Sequence, residues 1–231
     1  MKKDFLDYYQ TYEEKIRLAH FGLEQLEELY GMLKAPETLE RSFLTIDSSD
    51  KIIVTCAYNA SPAQHHEQMI SAIGELPEEL KKKIALLFPM TYGGDEYYIK
   101  RIKDCVCNLS VPYQIISRSL SMKEVLTLRI LSGIVLNIQE SDAFSASLQE
   151  HIMAGGILIA GDWLPYSILE ANDIKYIKTS LSELKEKIEG CILHFEEFQE
   201  QCAGNREKMY RLSSWKYVIK DWTAIYRELI D

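Results

Sequence analysis

The chain is organised around the stretch Asp142-Ala-Phe-Ser-Ala-Ser-Leu-Gln-Glu-His-Ile-Met-Ala-Gly-Gly-Ile-Leu-Ile-Ala-Gly-Asp-Trp163. Apolar residues recur in it at the spacing of a helix, namely Phe144, Leu148, Ile152 and Met153. Gly155-Gly156 ends this helix, and apolar runs at 134–138 and 157–160 predict a buried strand on either side. The stretch therefore predicts a strand, loop, helix, strand unit, whose helix start lies at the carboxyl edge of a parallel sheet, where ligands bind.

The start of this helix carries groups suited to a nucleotide sugar. Unpaired backbone N–H groups and the helix dipole favour a phosphate, and Asp142, Ser145 and Ser147 cluster there. Glu150 follows eight residues after Asp142, so two acids flank the anion site. A nucleotide sugar offers a diphosphate for the helix end and hydroxyls for the acids. The alternative is a capping box, Ser147-x-x-Glu150, which needs no ligand.

Asp142-x7-Glu150, followed by two glycines and a buried strand, resembles the acid-x7-acid signature of retaining glycosyltransferases with the GT-B fold. The resemblance implies that Glu150 holds the nucleotide ribose and that Asp142 faces the donor sugar. It also implies that the diphosphate binds around Phe144, Ser145, Ala146 and Ser147. The chain departs from the signature in one respect, since the first acid of the family is usually Glu.

Composition limits the other function classes. The chain has 231 residues, 47% of them hydrophobic and 26% charged, with a net charge of −9. An acidic chain of this kind is not a general nucleic-acid binder. Its five cysteines show no zinc spacing, so we expect no metal, and no cofactor beyond the donor substrate. Without a signal sequence or a run of about 20 apolar residues, we expect a cytoplasmic protein; peripheral attachment to the inner face of the membrane stays open.

Strands and helices alternate along the chain. Strands are predicted at 52–57, 84–88, 113–116, 134–138, 157–160 and 175–177, with helices between them and helical segments at 192–202, 206–212 and from 214. The fold class is therefore α/β: a Rossmann-like parallel sheet with helices on both faces, as in a GT-B C-terminal domain, plus C-terminal helices. We expect a helical and linker segment at 1–48, left from an acceptor domain, a nucleotide-sugar-binding domain at 49–213 and a closing helix at 214–231.

Three further loops supply donor-binding candidates. The loop after the first strand holds Asn59, His65 and His66, or is an ordinary turn with an Asx or Ser cap. The loop after the second strand, Pro89-Met-Thr-Tyr-Gly93, resembles bacterial 4-acetamido-4,6-dideoxygalactose transferases, so Tyr92 and Gly93 are candidates; a glycine-rich turn is the alternative. After the third strand, Arg118 could bind the base, unless it is a solvated surface residue. Arg118 or Lys123 could also supply the cation for the diphosphate.

The C-terminal segment predicts a helix capped by Ser214. Its apolar stripe is wide and aromatic: Trp215, Val218, Ile219, Trp222, Ile225, Tyr226 and Leu229. We expect this stripe to pack on its own domain. In GT-B enzymes a helix with a Ser-Trp start crosses back to the N-terminal domain, so the resemblance adds that option.

Together these patterns predict the donor-binding half of a glycosyltransferase. It would transfer a sugar from a nucleoside diphosphate sugar to a glycan or lipid-linked acceptor in bacterial surface polysaccharide synthesis, with a partner chain carrying the N-terminal domain. The alternatives are a nucleotide-sugar-binding subunit, a GT-B-type epimerase or a non-enzymatic interaction protein. The hypothesis requires an open hollow beside Glu150.

Overall fold

The computed structural model describes residues 2–48 and 50–230 of the chain. The described residues form one six-stranded sheet in which every strand pair is parallel, in the order β3-β2-β1-β4-β5-β6. The strands are β1 (Ile52–Cys56), β2 (Ile84–Pro89), β3 (Tyr113–Ile116), β4 (Ile134–Asn137), β5 (Ile157–Gly161) and β6 (Ile177–Thr179). This arrangement confirms the predicted Rossmann-like α/β class.

Twelve α-helices are present in the described ranges, together with three short 3-10 helices at 10–15, 36–38 and 62–64. The α-helices are α1 (Lys2–Tyr8), α2 (Gln25–Lys34), α3 (His66–Gly74), α4 (Glu78–Lys81), α5 (Glu96–Val106), α6 (Met122–Leu131), α7 (Ala146–Ala154), α8 (Ser167–Ala171), α9 (Leu184–Leu193), α10 (Phe195–Cys202), α11 (Asn205–Ser213) and α12 (Trp215–Glu228). None of the helices in this part of the chain combines the length and apolar character needed to cross a membrane.

Most predicted boundaries agree with the structure to within one residue, and two elements differ by more, for local reasons. The last strand begins at Ile177 rather than at residue 175, because the Lys175 backbone N–H donates to the Asn205 side chain (2.8 Å) instead of to β5. The helical segment predicted at 192–202 is broken at His194, which leaves helical geometry (φ −113°) and separates α9 from α10.

The two faces of the sheet carry separate helix layers. On one face, α3, α5 and α9 pack against strand side chains such as Val54, Leu86 and Ile159. On the other face, α2, α7 and α11 pack against side chains such as Val135 and Leu158. Side chains alternate between the faces along each strand, which explains why the strands of a sheet buried on both sides are almost continuously apolar.

The first helices of the chain are joined to this second layer. Leu26 and Leu29 of α2 are wholly buried in the cluster that contains α7. The Leu23 backbone N–H also donates to the Ser213 carbonyl oxygen (2.8 Å), at the junction of α11 and α12. The division at residues 48 and 49 stays a prediction, and Ser49 itself lies outside the described residues.

The helix α12 packs on α11 and on the segment that precedes α2. The Trp222 indole donates to the His20 carbonyl oxygen (2.7 Å), and Trp215 meets the edge of Phe21 with ring centroids 5.4 Å apart. Among the α12 side chains, which are all described, only Val218 is buried. Ser214 stands at the cap position as expected, but its hydroxyl makes no capping hydrogen bond, so that part of the prediction is wrong.

Candidate functional site

The order of the strands creates a crevice between β1 and β4. The chain runs outward from β1 to β2 and β3 on one side, and from β4 to β5 and β6 on the other. The loops that follow β1 and β4 therefore diverge in opposite directions. In open α/β folds, ligands bind in the opening between two such loops, at the carboxyl edge of the sheet. The start of α7 lies directly after β4, at this switch point.

Asp142 holds the backbone turn that leads into α7. Its carboxylate accepts hydrogen bonds from the backbone N–H groups of Ala143 (2.9 Å) and Ser145 (3.2 Å), and also from the Tyr166 hydroxyl. Phe144, between them, has a left-handed backbone (φ 64°). The structure therefore brings Asp142, Phe144 and Ser145 together as predicted, but the Ser145 amide expected at the diphosphate is already bonded to Asp142.

Tyr166 connects this turn with β4. Its hydroxyl donates to Asp142 and accepts from the Asn137 side-chain amide (2.5 Å), while Phe144 meets the edge of its ring. Burial, reinforced by the neighbouring carboxylate, raises the pKa of Tyr166 far above its usual range. The hydroxyl therefore stays protonated and fixes the direction in which the Asp142 carboxylate points.

The serines at the helix start are not used by the helix itself. Ser145 is the N-cap residue of α7, but its side chain makes no capping hydrogen bond. The hydroxyl oxygens of Ser145 and Ser147 are both buried and have no hydrogen-bond partner among the described residues. The capping-box alternative for Ser147 and Glu150 is therefore wrong, because Ser147 lies inside the helix and Glu150 turns elsewhere.

Glu150 faces the protein interior. Its carboxylate accepts from Arg129 Nε of α6 (3.0 Å), and both side chains are less than one-tenth exposed. The same guanidinium lies 3.0 Å from His151 Nε2 through its Nη1 atom. Burial, together with the adjacent Arg129 cation, holds the pKa of His151 well below its usual value, so the imidazole is neutral and accepts from Arg129.

Among the described residues, the structure shows only a small cavity where an open hollow was expected beside Glu150, which counts against Glu150 as the ribose ligand. The cavity that adjoins this part of α7 measures about 10 Å³ and is lined by residues of β4 and by Ala57, Tyr58, Ser147 and His151. That volume accommodates no more than about one water molecule. A ribose contact by Glu150 remains a prediction, and it would have to use the carboxylate oxygen that does not bond Arg129 or else displace that pair.

The loop after β1 is folded onto the end of β4. Ala57 and His65 both have left-handed backbones (φ 63° and 61°), and His65 Nδ1 lies 2.8 Å from the Ile138 carbonyl oxygen. The Asn59 side chain accepts from the Ser61 backbone N–H (2.8 Å), which is the turn expected as the alternative. His66 is wholly buried with Nδ1 3.1 Å from the Tyr98 hydroxyl, so the structure places it in the core and not at a ligand surface.

The loop after β2 is docked on the loop after β1. The Ala60 backbone N–H donates to the Tyr92 carbonyl oxygen (2.6 Å), Gly93 has φ 84°, and a Cβ at Gly94 would collide with the Ala60 carbonyl oxygen. Gly93 and Gly94 therefore allow the β1 and β2 loops to pack closely against each other. Tyr92 itself keeps an exposed side chain, and Gly93 lies beside Asn59.

Arg118 and Lys123 stand after the edge strand β3, at the start of α6. The Arg118 guanidinium binds Glu124, whose pKa it lowers to about 2, within the capping box that begins α6. Lys123 is exposed on the same turn. Because β3 is three strand positions from β4, at about 4.8 Å per position, this loop lies roughly 14 Å from the β4 end. A groove of about 600 Å³ runs along α5 to Ser117 beside it.

Two residues of this edge escaped the sequence analysis. Gln139 is 3% exposed and joins three loops, since its side chain accepts from Tyr58 (3.0 Å) and Gln64 (2.6 Å) and its carbonyl oxygen accepts from the Trp163 indole (3.0 Å). Trp163 follows β5 and remains 40% exposed. Their positions could have indicated them, because Gln139 and Trp163 each follow the end of one of two adjacent strands, β4 and β5. Within the described ranges, no group of three or more His, Cys, Asp or Glu side chains is placed to hold a metal ion.

Comparison with known proteins yields likeness in structure but not in sequence. No protein-family model matches the chain, and no curated protein matches it. A glycosyltransferase from Rickettsia africae ESF-5 superposes with a TM-score of 0.73 at 17% identity, covering 100% of this chain and 61% of that one. Sucrose-phosphate synthase from Thermosynechococcus elongatus gives 0.68 at 14% identity (96% and 56% covered). Anabaena HepE in complex with UDP and glucose gives 0.65 at 13% identity (92% and 57% covered).

At these identities the likeness concerns the fold, which is the Rossmann-like fold of GT-B glycosyltransferases, as expected. The chain spans about three fifths of the length of these solved structures. The narrower resemblance to 4-acetamido-4,6-dideoxygalactose transferases stays a prediction.

Proposed function

We propose that the chain is the donor-binding half of a glycosyltransferase. It would bind a nucleoside diphosphate sugar at the start of α7 for transfer to a glycan or lipid-linked acceptor in bacterial surface polysaccharide synthesis. One observation carries the proposal: α7 begins at the β1/β4 switch point with two buried serine hydroxyls, of Ser145 and Ser147, that no described residue satisfies. Buried polar groups normally have partners, and the oxygens of a diphosphate would accept from both hydroxyls.

The dipole of α7 would stabilise the leaving diphosphate. The first amides of a helix and the partial positive charge of its N-terminus act on negative charge as it develops, without rearrangement. Asp142 carries a negative charge next to the same amides. Asp142 would therefore orient the turn and a hydroxyl of the donor sugar. The diphosphate would contact the backbone amides and serine hydroxyls that do not bond Asp142.

The ion pair of Glu150 with Arg129 affects the strength of donor binding. If the second acid is to reach a ribose, either its other carboxylate oxygen must become accessible or the pair must separate, and the free energy of that rearrangement is subtracted from the affinity. In the alternative arrangement Glu150 stays with Arg129, and the ribose is held by other groups of the crevice. We therefore expect weak binding by the chain alone.

Isothermal titration of the folded chain with UDP, dTDP and UDP-glucose tests the proposal. We expect binding, and we expect it to weaken in the variant Ser145→Ala/Ser147→Ala. The matched control is Ser110→Ala, an exposed serine before β3 at the opposite edge of the sheet, which should bind as the wild type does. No heat with any nucleotide, or unchanged affinity in the double variant, would contradict the proposal.

A second candidate is a nucleotide-sugar-binding subunit that acts only with a partner chain carrying an acceptor domain. It is favoured by the engagement of both acids with side chains of the same chain, Asp142 with Tyr166 and Glu150 with Arg129. It predicts nucleotide binding without hydrolysis of UDP-glucose or transfer from it. Release of UDP by the chain alone, with wild-type protein and an acceptor-free buffer, would exclude it.

A further inference from the structure

The side chain of Trp163 is held at the carboxyl edge in a fixed orientation. Its indole N–H donates to the Gln139 carbonyl oxygen (3.0 Å), which ties the residue after β5 to the loop that leads from β4 to α7. Gln139 is itself buried and bonded to Tyr58 and Gln64 of the β1 loop. The indole is therefore attached to the set of hydrogen bonds that joins the three loops around the crevice.

One face of the ring is covered by the protein and the other is not. A Cβ built on Gly161 would lie 2.6 to 2.7 Å from three consecutive atoms of the six-membered ring, Cζ2, Cε2 and Cη2. A point at equal distance from three consecutive ring atoms lies above the ring, since a point beyond the edge would be much nearer to the middle atom. The indole thus lies face-on over Gly161, which leaves the opposite face and the ring edges to account for the 40% exposure of Trp163.

This arrangement differs from that of an ordinary surface aromatic residue. Glycine in a strand is unfavourable, yet β5 ends in the one residue that lets the indole lie flat against the backbone. The N–H group, which is the polar part of the side chain, is satisfied inside the protein, so the surface left outside is the apolar π-face. Such a face recognises a flat or C–H-rich ring.

Building on the proposed donor site, we propose that Trp163 is a stacking residue for a ring of the donor, which is its nucleobase or its sugar. Phe144 at the start of α7 and Tyr166 in the loop after β5 are in ring contact, so the Trp163 loop adjoins the diphosphate end of the crevice. A ring bound against the indole would remain within reach of a diphosphate at α7. Stacking on aromatic side chains tolerates different bases, so Trp163 would contribute affinity more than base selectivity.

Titration calorimetry with UMP, UDP and UDP-glucose on wild type, Trp163→Ala and Trp163→Phe tests this inference. Trp163→Ala should weaken binding by about 5- to 150-fold, the range for loss of one aromatic stacking partner, and Trp163→Phe should retain most of the affinity. Tyr226→Ala, an exposed aromatic residue of α12, is the matched control and should have no effect. Circular dichroism of each variant confirms that it is folded.

The three probes identify the ring. A loss shared by UMP, UDP and UDP-glucose assigns the base, and a loss confined to UDP-glucose assigns the sugar. Equal affinity of wild type and Trp163→Ala for all three probes overturns this inference and leaves the proposed function standing. Wild-type protein that binds none of the probes overturns the proposed function, and this inference with it.

Discussion

The Arg129 Nε atom lies 3.0 Å from Glu150 Oε2, and the two side chains are 8% and 5% exposed. Replacing Arg129 alone leaves a carboxylate buried without a partner. We therefore predict that Arg129→Ala lowers the free energy of unfolding by about 3 to 5 kcal/mol in urea titrations. The double variant Arg129→Met/Glu150→Met should recover most of this loss, because no buried charge remains. A loss below about 1 kcal/mol in Arg129→Ala, on the scale of exposed ion pairs, would show that the pair is solvated.

The Tyr166 hydroxyl is bonded on both sides, to Asp142 and to Asn137. Tyr166→Phe leaves both groups short of a partner, so we expect a loss of about 1 to 3 kcal/mol in the free energy of unfolding. The matched control is Tyr176→Phe, whose hydroxyl donates to Glu170 at the surface (3.1 Å) and whose removal should change stability less. Equal effects of the two substitutions would refute a special role for the Tyr166 hydroxyl.

Gly94 allows the β2 loop to lie against the β1 loop. Because a Cβ there would collide with the Ala60 backbone, which cannot move aside as a flexible side chain can, Gly94→Ala should destabilise the protein by more than about 1 kcal/mol. Gly190→Ala in α9 is the control, since a Cβ there meets nothing within 4 Å. It should be neutral or stabilise the helix by about 0.5 to 1 kcal/mol. Thermal unfolding of both variants measures this difference in stability. The two variants would be equally stable if the β1 and β2 loops separate freely.

Acid should unfold the protein through its buried histidines. Burial lowers the pKa of His66 to about 4 and that of His151 well below its usual value of 6.5. Between pH 6.5 and about 4 the unfolded chain binds more protons than the folded one, so stability falls as the pH falls, by up to about 1.4 kcal/mol per unit for each histidine. Urea titrations of His66→Gln should show a shallower slope of stability against pH in this window than the wild type does. Equal slopes in wild type and His66→Gln would contradict the assignment.

The sequence was sufficient to predict the six strands and that they run parallel. Most of them are short apolar runs bounded by polar or turn residues, and helices lie between them. It missed the start of β6, where the competing hydrogen bond comes from Asn205, 30 residues further on. It also could not supply the order of the strands across the sheet. That order is what separates Arg118, after β3, from α7 by three strand positions.

The candidate site was predicted in part. The apolar periodicity of residues 142–163 correctly placed a loop and a helix start at the carboxyl edge of β4. The partner of each acid is a distant residue, Tyr166 for the first and Arg129 for the second, and no local pattern around either acid indicates it. Spacing along a helix shows which side chains share a face. The packing of α6 against α7 decides whether the Glu150 carboxylate faces solvent or the protein interior.

Ala57, His65 and Phe144 hold conformations that chains usually assign to glycine, and all three stand in the loops that border the crevice. A residue with a Cβ disfavours this conformation, so it persists only because surrounding contacts hold it, such as the bond from the Ala57 backbone N–H to the Leu136 carbonyl oxygen (3.1 Å). The rim of the crevice is therefore shaped before any ligand binds. Association with a small molecule should then proceed with little further ordering of the polypeptide, and amide hydrogen exchange in these loops should be slow already in the ligand-free chain.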